Sequence, residues 1–148
     1  MASDSENAPQ LLFENQVCFP LYSAANAVVR AYRPLLKQLD LTYLQYMVLM
    51  LLWQASSMNV KELGRQLNLD SGTLTPLLKR LESKGLVLRT RGLEDERVRV
   101  ITITPEGMAL RKKAMDIPGE LACSIGLSRK QGTELKALCE KLLAQLNT

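Results

Sequence analysis

Apolar residues recur every three to five positions between residues 11 and 39, where Leu12, Val17, Leu21, Ala25, Val28, Val29, Tyr32, Leu35, Leu36 and Leu39 form one stripe. That period predicts an amphipathic helix. The stripe is too long to bury inside one small domain, so a partner chain is expected to cover it. A second helix is predicted from about Tyr43 to Gln54, with Thr42 as its N-cap. Near the C-terminus, Leu135, Leu138, Cys139, Leu142, Leu143 and Leu146 make another stripe beside polar Lys136, Glu140 and Lys141. Helices therefore occupy both ends of the chain, with no internal repeat and no low-complexity linker.

The pattern changes in the middle. A short helix is predicted from about Val60 to Leu67, followed by a tight Asn68-Leu69-Asp70 turn. Asp70 or Ser71 then caps a second helix that buries Leu74, Leu77, Leu78 and Leu81, turns Thr73, Thr75, Pro76, Lys79 and Arg80 outward, and stops at Gly85. Two short helices joined by so short a turn read as a helix-turn-helix. The β-branched, alternating runs 86–91 and 98–103, separated by Gly92-Leu-Glu-Asp-Glu-Arg97, read as a hairpin. The expected fold is mainly α with a small β-hairpin wing: a winged helix-turn-helix over 59–104 inside a single domain spanning 1–148. Thr104 and Pro105 cap and open a helix that leads back towards the C-terminus.

Charge gives this centre a purpose. Residues 60–103 hold Lys61, Arg65, Lys79, Arg80, Lys84, Arg89, Arg91, Arg97 and Arg99 against Glu62, Asp70, Glu82, Glu94, Asp95 and Glu96, a net +3 out of the chain's +4. A recognition helix needs short polar residues near its N-terminus, where backbone meets bases and phosphates, and Ser71, Gly72, Thr73 and Thr75 supply them. Pro76 lies on the same outward face, and the longer Lys79 and Arg80 reach phosphates. Arg97 at the wing tip is placed for a minor groove, with Asp95 close enough to orient its guanidinium. Double-stranded DNA is the expected partner.

Composition adds exclusions. The chain is 47% hydrophobic and 23% charged, ordinary for a folded soluble domain. Its longest apolar run, Tyr46 to Trp53, falls short of the roughly 20 residues a membrane span needs. The opening Met-Ala-Ser-Asp-Ser-Glu lacks a secretory signal core. A cytoplasmic protein without membrane association is expected. Cys18, Cys123 and Cys139 fit neither a disulfide framework nor zinc spacing, so neither metal nor cofactor is expected. With no histidine in the chain, Ser-His-Asp and Cys-His nucleophiles are ruled out. No catalytic residue is assigned, and the protein is not expected to be an enzyme.

The stretches "LDSGTLTPLLKRLESKGLV" and "EDERVRVITITPEG" resemble the MarR family of dimeric winged-helix repressors, which share a DSGT-type recognition helix, a D-x-R wing and a following L-T-x-x-G. "ENQVCFPLY", "AYRPLL" and "LTYLQYMVLMLLW" resemble its organic-hydroperoxide-sensing OhrR branch, and the likeness runs from about Leu11 to Leu146. The resemblance implies a homodimer joined through helices in 11–54 and 105–148, binding an inverted-repeat operator. It implies that Cys18 senses organic hydroperoxide, that Tyr22, Tyr32 and Tyr43 supply hydroxyls around it, and that Asp95 and Arg97 form the wing pair. It further implies that Cys123 is the resolving cysteine of an intersubunit disulfide. Pro20 is uncommon at its position in that family.

The chemistry is compatible with that role. A thiol meets peroxide as thiolate, and without histidine the negative charge must be held by other donors. Tyr22 lies one turn from Cys18, and Tyr32, fourteen residues on, returns to within about 40° of the same face at the ~3.6-residue period. Pro20 is tolerated in a first turn, so a helix beginning or kinking near Cys18 is a further way to offer backbone N–H groups to the sulfur. Cys139, in the leucine stripe, reads as a small buried hydrophobe. Cys123 lies between Pro118 and Gly126, where a broken helix would leave it mobile. Two other functions compete: a MarR-type regulator controlled by a small-molecule ligand, with incidental cysteines, and a thiol peroxidase, for which no thioredoxin-like βαβ pattern is present.

Overall fold

A computed structural model describes residues 8–147. The opening hexapeptide, read above as lacking a signal core, lies outside them, as does Thr148.

Helix α1 spans Cys18–Lys37 and α2 Tyr43–Ala55. Then come strand β1 (Ser57–Asn59), the helix pair α3 (Val60–Leu67) and α4 (Ser71–Ser83), and strands β2 (Val87–Arg91) and β3 (Arg99–Ile103). Three more helices follow: α5 (Pro105–Lys113), α6 (Ile117–Ile125) and α7 (Arg129–Leu146).

Local chemistry places each boundary. Thr42 and Gln45 form a capping box that starts α2. Asn68 ends α3 in the left-handed conformation (φ 54°), and the Asp70 carboxylate then accepts a 2.7 Å bond from the Thr73 N–H to start α4. Gly85, at φ 76°, supplies the left-handed turn after α4. Leu74, Leu78 and Leu81 on α4 are dry, packed with Leu36, Val48, Leu49, Leu52, Leu63, Val87 and Ile101 in one core.

The sheet has three strands in the order β1-β3-β2, all antiparallel. The hairpin register pairs Val87 with Ile103 and Arg91 with Arg99. Strand β1 was not expected from sequence: its three residues, two of them polar, are too short a run to read as a strand, and they are strand because β3 pairs them, Ser57 with Thr102 and Asn59 with Val100.

Three expectations need correction. The 11–39 stripe is not one helix: two 3-10 turns, Pro9–Leu11 and Phe13–Asn15, precede α1. Side-chain amides of Asn15 and Gln16 bond to the carbonyls of Pro9, Gln10 and Leu12, competing with a continuous helix. Helix α1 begins at Cys18, with Pro20 in its first turn, where a missing N–H costs nothing. Second, Cys123 is not in a broken segment but in the last turn of α6, because Pro118 sits at the start of that helix rather than inside it. Third, Cys139 is only half-buried, since α7 buries no residue. Helix α6 packs on α1, whereas among the described residues α7 makes no extensive contact with another element.

Candidate functional site

Helix α4, the expected recognition helix, presents the residues the sequence singled out. Ser71, Gly72, Thr73, Pro76, Lys79 and Arg80 are exposed on α4, and Thr75 is half-buried. Pro76 lies inside the helix and cannot donate to the Gly72 carbonyl. Both ends of α4 are tethered. At its N-terminus Asp70 is the cap. At its C-terminus the Lys84 ammonium bonds the Asp40 carbonyl and, at 3.1 Å, Gln45 Oε1, while the Asp40 carboxylate lies 3.6 Å away. Glu82 accepts from the Arg89 N–H (3.0 Å) and guanidinium (3.2 Å), holding β2 against the helix.

At the wing tip the Asp95 carboxylate accepts from the Arg97 backbone N–H at 3.0 Å and from its guanidinium at 3.2 and 3.4 Å. Those bonds, the backbone one foremost, hold the Asp95 carboxyl below its ordinary pKa. The guanidinium thus sits oriented on an otherwise exposed tip. Gly92 closes this turn: a Cβ there would lie 2.9 Å from the Asp95 carbonyl oxygen.

A cleft of about 880 Å³ separates α3 and the start of α4 from the wing, and Lys61, Arg65, Arg97 and Arg99 line it. Lys61, Arg65 and Arg99 were counted in the charge balance but given no place. Their convergence depends on β1, which delivers α3 alongside β3. Arg65 is held by Glu62 through bonds of 2.5 and 2.9 Å. With Gln66 also donating, they pull the Glu62 pKa down to about 2. A groove with four cations, beside short polar residues at a helix N-terminus, suits a phosphate backbone.

The thiol region is laid out differently. Cys18 and Cys123 are free and exposed. Tyr22 is exposed, its ring near Phe19 at a centroid distance of 6.3 Å. Tyr32 packs against Tyr43 (4.8 Å) and Tyr46 (5.9 Å), so three of the chain's tyrosines cluster where α1 meets α2. Tyr46 was not picked out from sequence, although it follows Tyr43 by one helical turn. Burial, with smaller contributions from Tyr43 and Tyr46, pushes the Tyr32 pKa up to about 12. Cys18 and Tyr32 lie fourteen residues apart on one helix, about 21 Å at 1.5 Å per residue. Sharing a face does not bring them within hydrogen-bond reach in one chain.

The pattern that defines the transcriptional regulator SarA/Rot family matches residues 30–114. The organic hydroperoxide resistance transcriptional regulator of Bacillus subtilis (strain 168) is 48% identical over 135 residues, covering 91% of this chain and 90% of that protein. Among solved structures, reduced AbfR bound to DNA superposes with a TM-score of 0.77 at 34% identity, over 94% of this chain and 97% of the other. Disulfide-formed AbfR, also at 34% identity and covering 94% and 98%, gives 0.65.

Proposed function

Because the chain belongs to the MarR/SarA-type family of winged-helix, DNA-binding transcriptional regulators, we propose that it is a repressor released from its operator when an organic hydroperoxide oxidises Cys18. The observation that carries this reading is the position of Cys18: an exposed, unpaired thiol opening the first turn of a 20-residue helix, in a chain 48% identical to a hydroperoxide-resistance regulator. A helix N-terminus favours negative charge, and the thiolate is the peroxide-reactive form.

Cys18 thiolate attacks the peroxide's terminal oxygen; the O–O bond breaks, the alcohol leaves after taking a proton, and sulfenic acid remains. The thiol of Cys123 of the partner subunit then displaces water from that sulfur, forming an S–S bond. Tyr32 is too far along α1 to serve its own Cys18, and Tyr43, the first residue of α2, packs against Tyr32, so their hydroxyls act across a dimer, and only Tyr22 is near in the same chain.

A homodimer built from α1, α6 and α7 fits the surface. Leu11, Val17, Leu138 and Leu146 are at least 65% exposed, an apolar area that a second copy would cover. Two copies related by a two-fold axis would set their recognition helices on an inverted repeat, about one DNA turn or 34 Å apart. The higher TM-score against reduced, DNA-bound AbfR than against disulfide-formed AbfR supports reading this conformation as the DNA-competent one.

The deciding experiment is Cys18→Ser. It should bind a selected operator duplex as tightly as wild type and keep it in the presence of cumene hydroperoxide, while wild type lets go. Release by the variant would discard the redox reading. A second reading would then stand on a different observation: a cavity of about 830 Å³ between α1, α2 and α4, with Arg33, Lys37, Arg80 and Lys84 around an apolar floor of Val29, Leu36 and Leu77. Such a pocket suits a small organic molecule as effector.

A further inference from the structure

One run of aromatic contacts crosses from the tyrosine cluster to the base of the wing. Tyr43 packs on Tyr32, Tyr32 on Tyr46, and Tyr46 meets Trp53 edge-on at 6.1 Å. Half-buried Trp53 then donates its indole N–H to the Gly107 carbonyl at 3.0 Å, across 54 residues of sequence.

Gly107 sits at a crowded joint. Its N–H donates to the Thr104 hydroxyl (3.0 Å), which itself donates to the Gly85 carbonyl (2.6 Å), and the Thr104 N–H donates to the Leu86 carbonyl (3.0 Å). A Cβ on Gly107 would stand 2.3 Å from the Leu86 oxygen, so this first turn of α5 is pressed against backbone where α4 gives way to β2. The start of α5 is thus wedged against the root of the wing, and Trp53 is hydrogen-bonded to that wedge. Packed interiors with this little free volume respond to a push by repacking rather than by absorbing it.

We propose that Trp53 is a positioning residue that couples the Tyr32–Tyr43–Tyr46 cluster to the wing root, so that a shift of the tyrosines on Cys18 oxidation reaches the DNA-binding surface through the Trp53–Gly107 hydrogen bond. The proposal rests on the redox reading above. It assigns the indole N–H a role in the difference between two states, which its contribution to folding alone would not produce.

Trp53 is the chain's one tryptophan, so its emission reports this joint without interference. The test uses full-length wild type and Trp53→Phe, which keeps the aromatic edge and deletes the donor. Each protein is titrated with a duplex enriched from a random-sequence library by reduced wild type, before and after one equivalent of cumene hydroperoxide, with Cys18 oxidation followed by mass spectrometry. Wild-type emission should shift on oxidation and stay fixed in Cys18→Ser. Trp53→Phe should oxidise as wild type does, while its ratio of oxidised to reduced Kd falls roughly fivefold, the effect of losing one neutral hydrogen bond.

An unchanged ratio in Trp53→Phe, with wild type releasing DNA normally, overturns the coupling and leaves the redox reading intact. Wild type that keeps its DNA with Cys18 oxidised overturns both. If Trp53→Phe does not fold, wild-type emission decides alone: a spectrum identical in the two oxidation states defeats the proposal.

Discussion

Helices α4 and α7 carry leucine stripes of the same period, but they live in opposite surroundings. Leu74, Leu78 and Leu81 of α4 are at most 1% exposed, whereas Leu135, Leu138 and Leu142 of α7 are 39–65% exposed. The difference lies in what each helix meets. Helix α4 is capped by Asp70, tied to α2 by Lys84 through Gln45, and closed over by α2, β2 and Leu63 of α3; among the described residues α7 makes no extensive contact with another element, and Asn147 just past its end donates to Asn68 at 3.1 Å. The winged helix thus has its core within one chain, while the terminal helices have half of theirs. An apolar stripe states that a surface must be covered and is silent about which molecule covers it.

Substitutions in the two stripes should separate these cases, the largest effect first. Leu81→Ala removes a fully buried side chain and should lower unfolding free energy by about 2–5 kcal/mol in urea melts, at any protein concentration. A much smaller loss would mean that the α4 core can collapse around the gap. The pair Leu138→Asp and Leu142→Asp should instead leave winged-helix ellipticity in place, give a monomer by light scattering and weaken binding to an inverted-repeat duplex by about a hundredfold, as expected when two linked contacts become one. An unaltered molar mass would show that something other than a second copy covers α7.

The smallest effect concerns the seam between the regions. Tyr32 titrates near 12 in the folded chain against an ordinary 10, so the folded form holds its proton more tightly. Its contribution is complete below pH 10 and is lost as pH rises from 10 through 12. Wild type should therefore lose melting temperature over that window more steeply than Tyr32→Phe, by differential scanning calorimetry. Parallel curves would show that the Tyr32 hydroxyl is not held in a buried site.

Most of the candidate DNA-binding surface could be read from the chain because its determinants are local. Asp70 caps α4 within three residues, Gly85 ends it, and Asp95 and Arg97 find each other two residues apart. The arginine-lined cleft was not legible in the same way. Lys61 and Arg65 meet Arg97 and Arg99 only because a three-residue strand of low propensity, Ser57–Asn59, is captured by β3. Likewise, the period of α1 places Cys18 and Tyr32 on one face, but helical rise puts them about 21 Å apart.

What the sequence determined by itself were the short-range matters: the capped starts of α2, α4 and α5, the hairpin, and the basic excess over 60–103. These depend on residues within a few positions of one another and on composition. Tertiary structure decided what depends on distance between elements. It gathered Tyr32, Tyr43 and Tyr46 away from their own Cys18, tied Trp53 to Gly107 across 54 residues, and left α7 uncovered. Periodicity specifies direction around a helix axis, whereas contact also requires position along it and a facing surface, and only the packed chain supplies those.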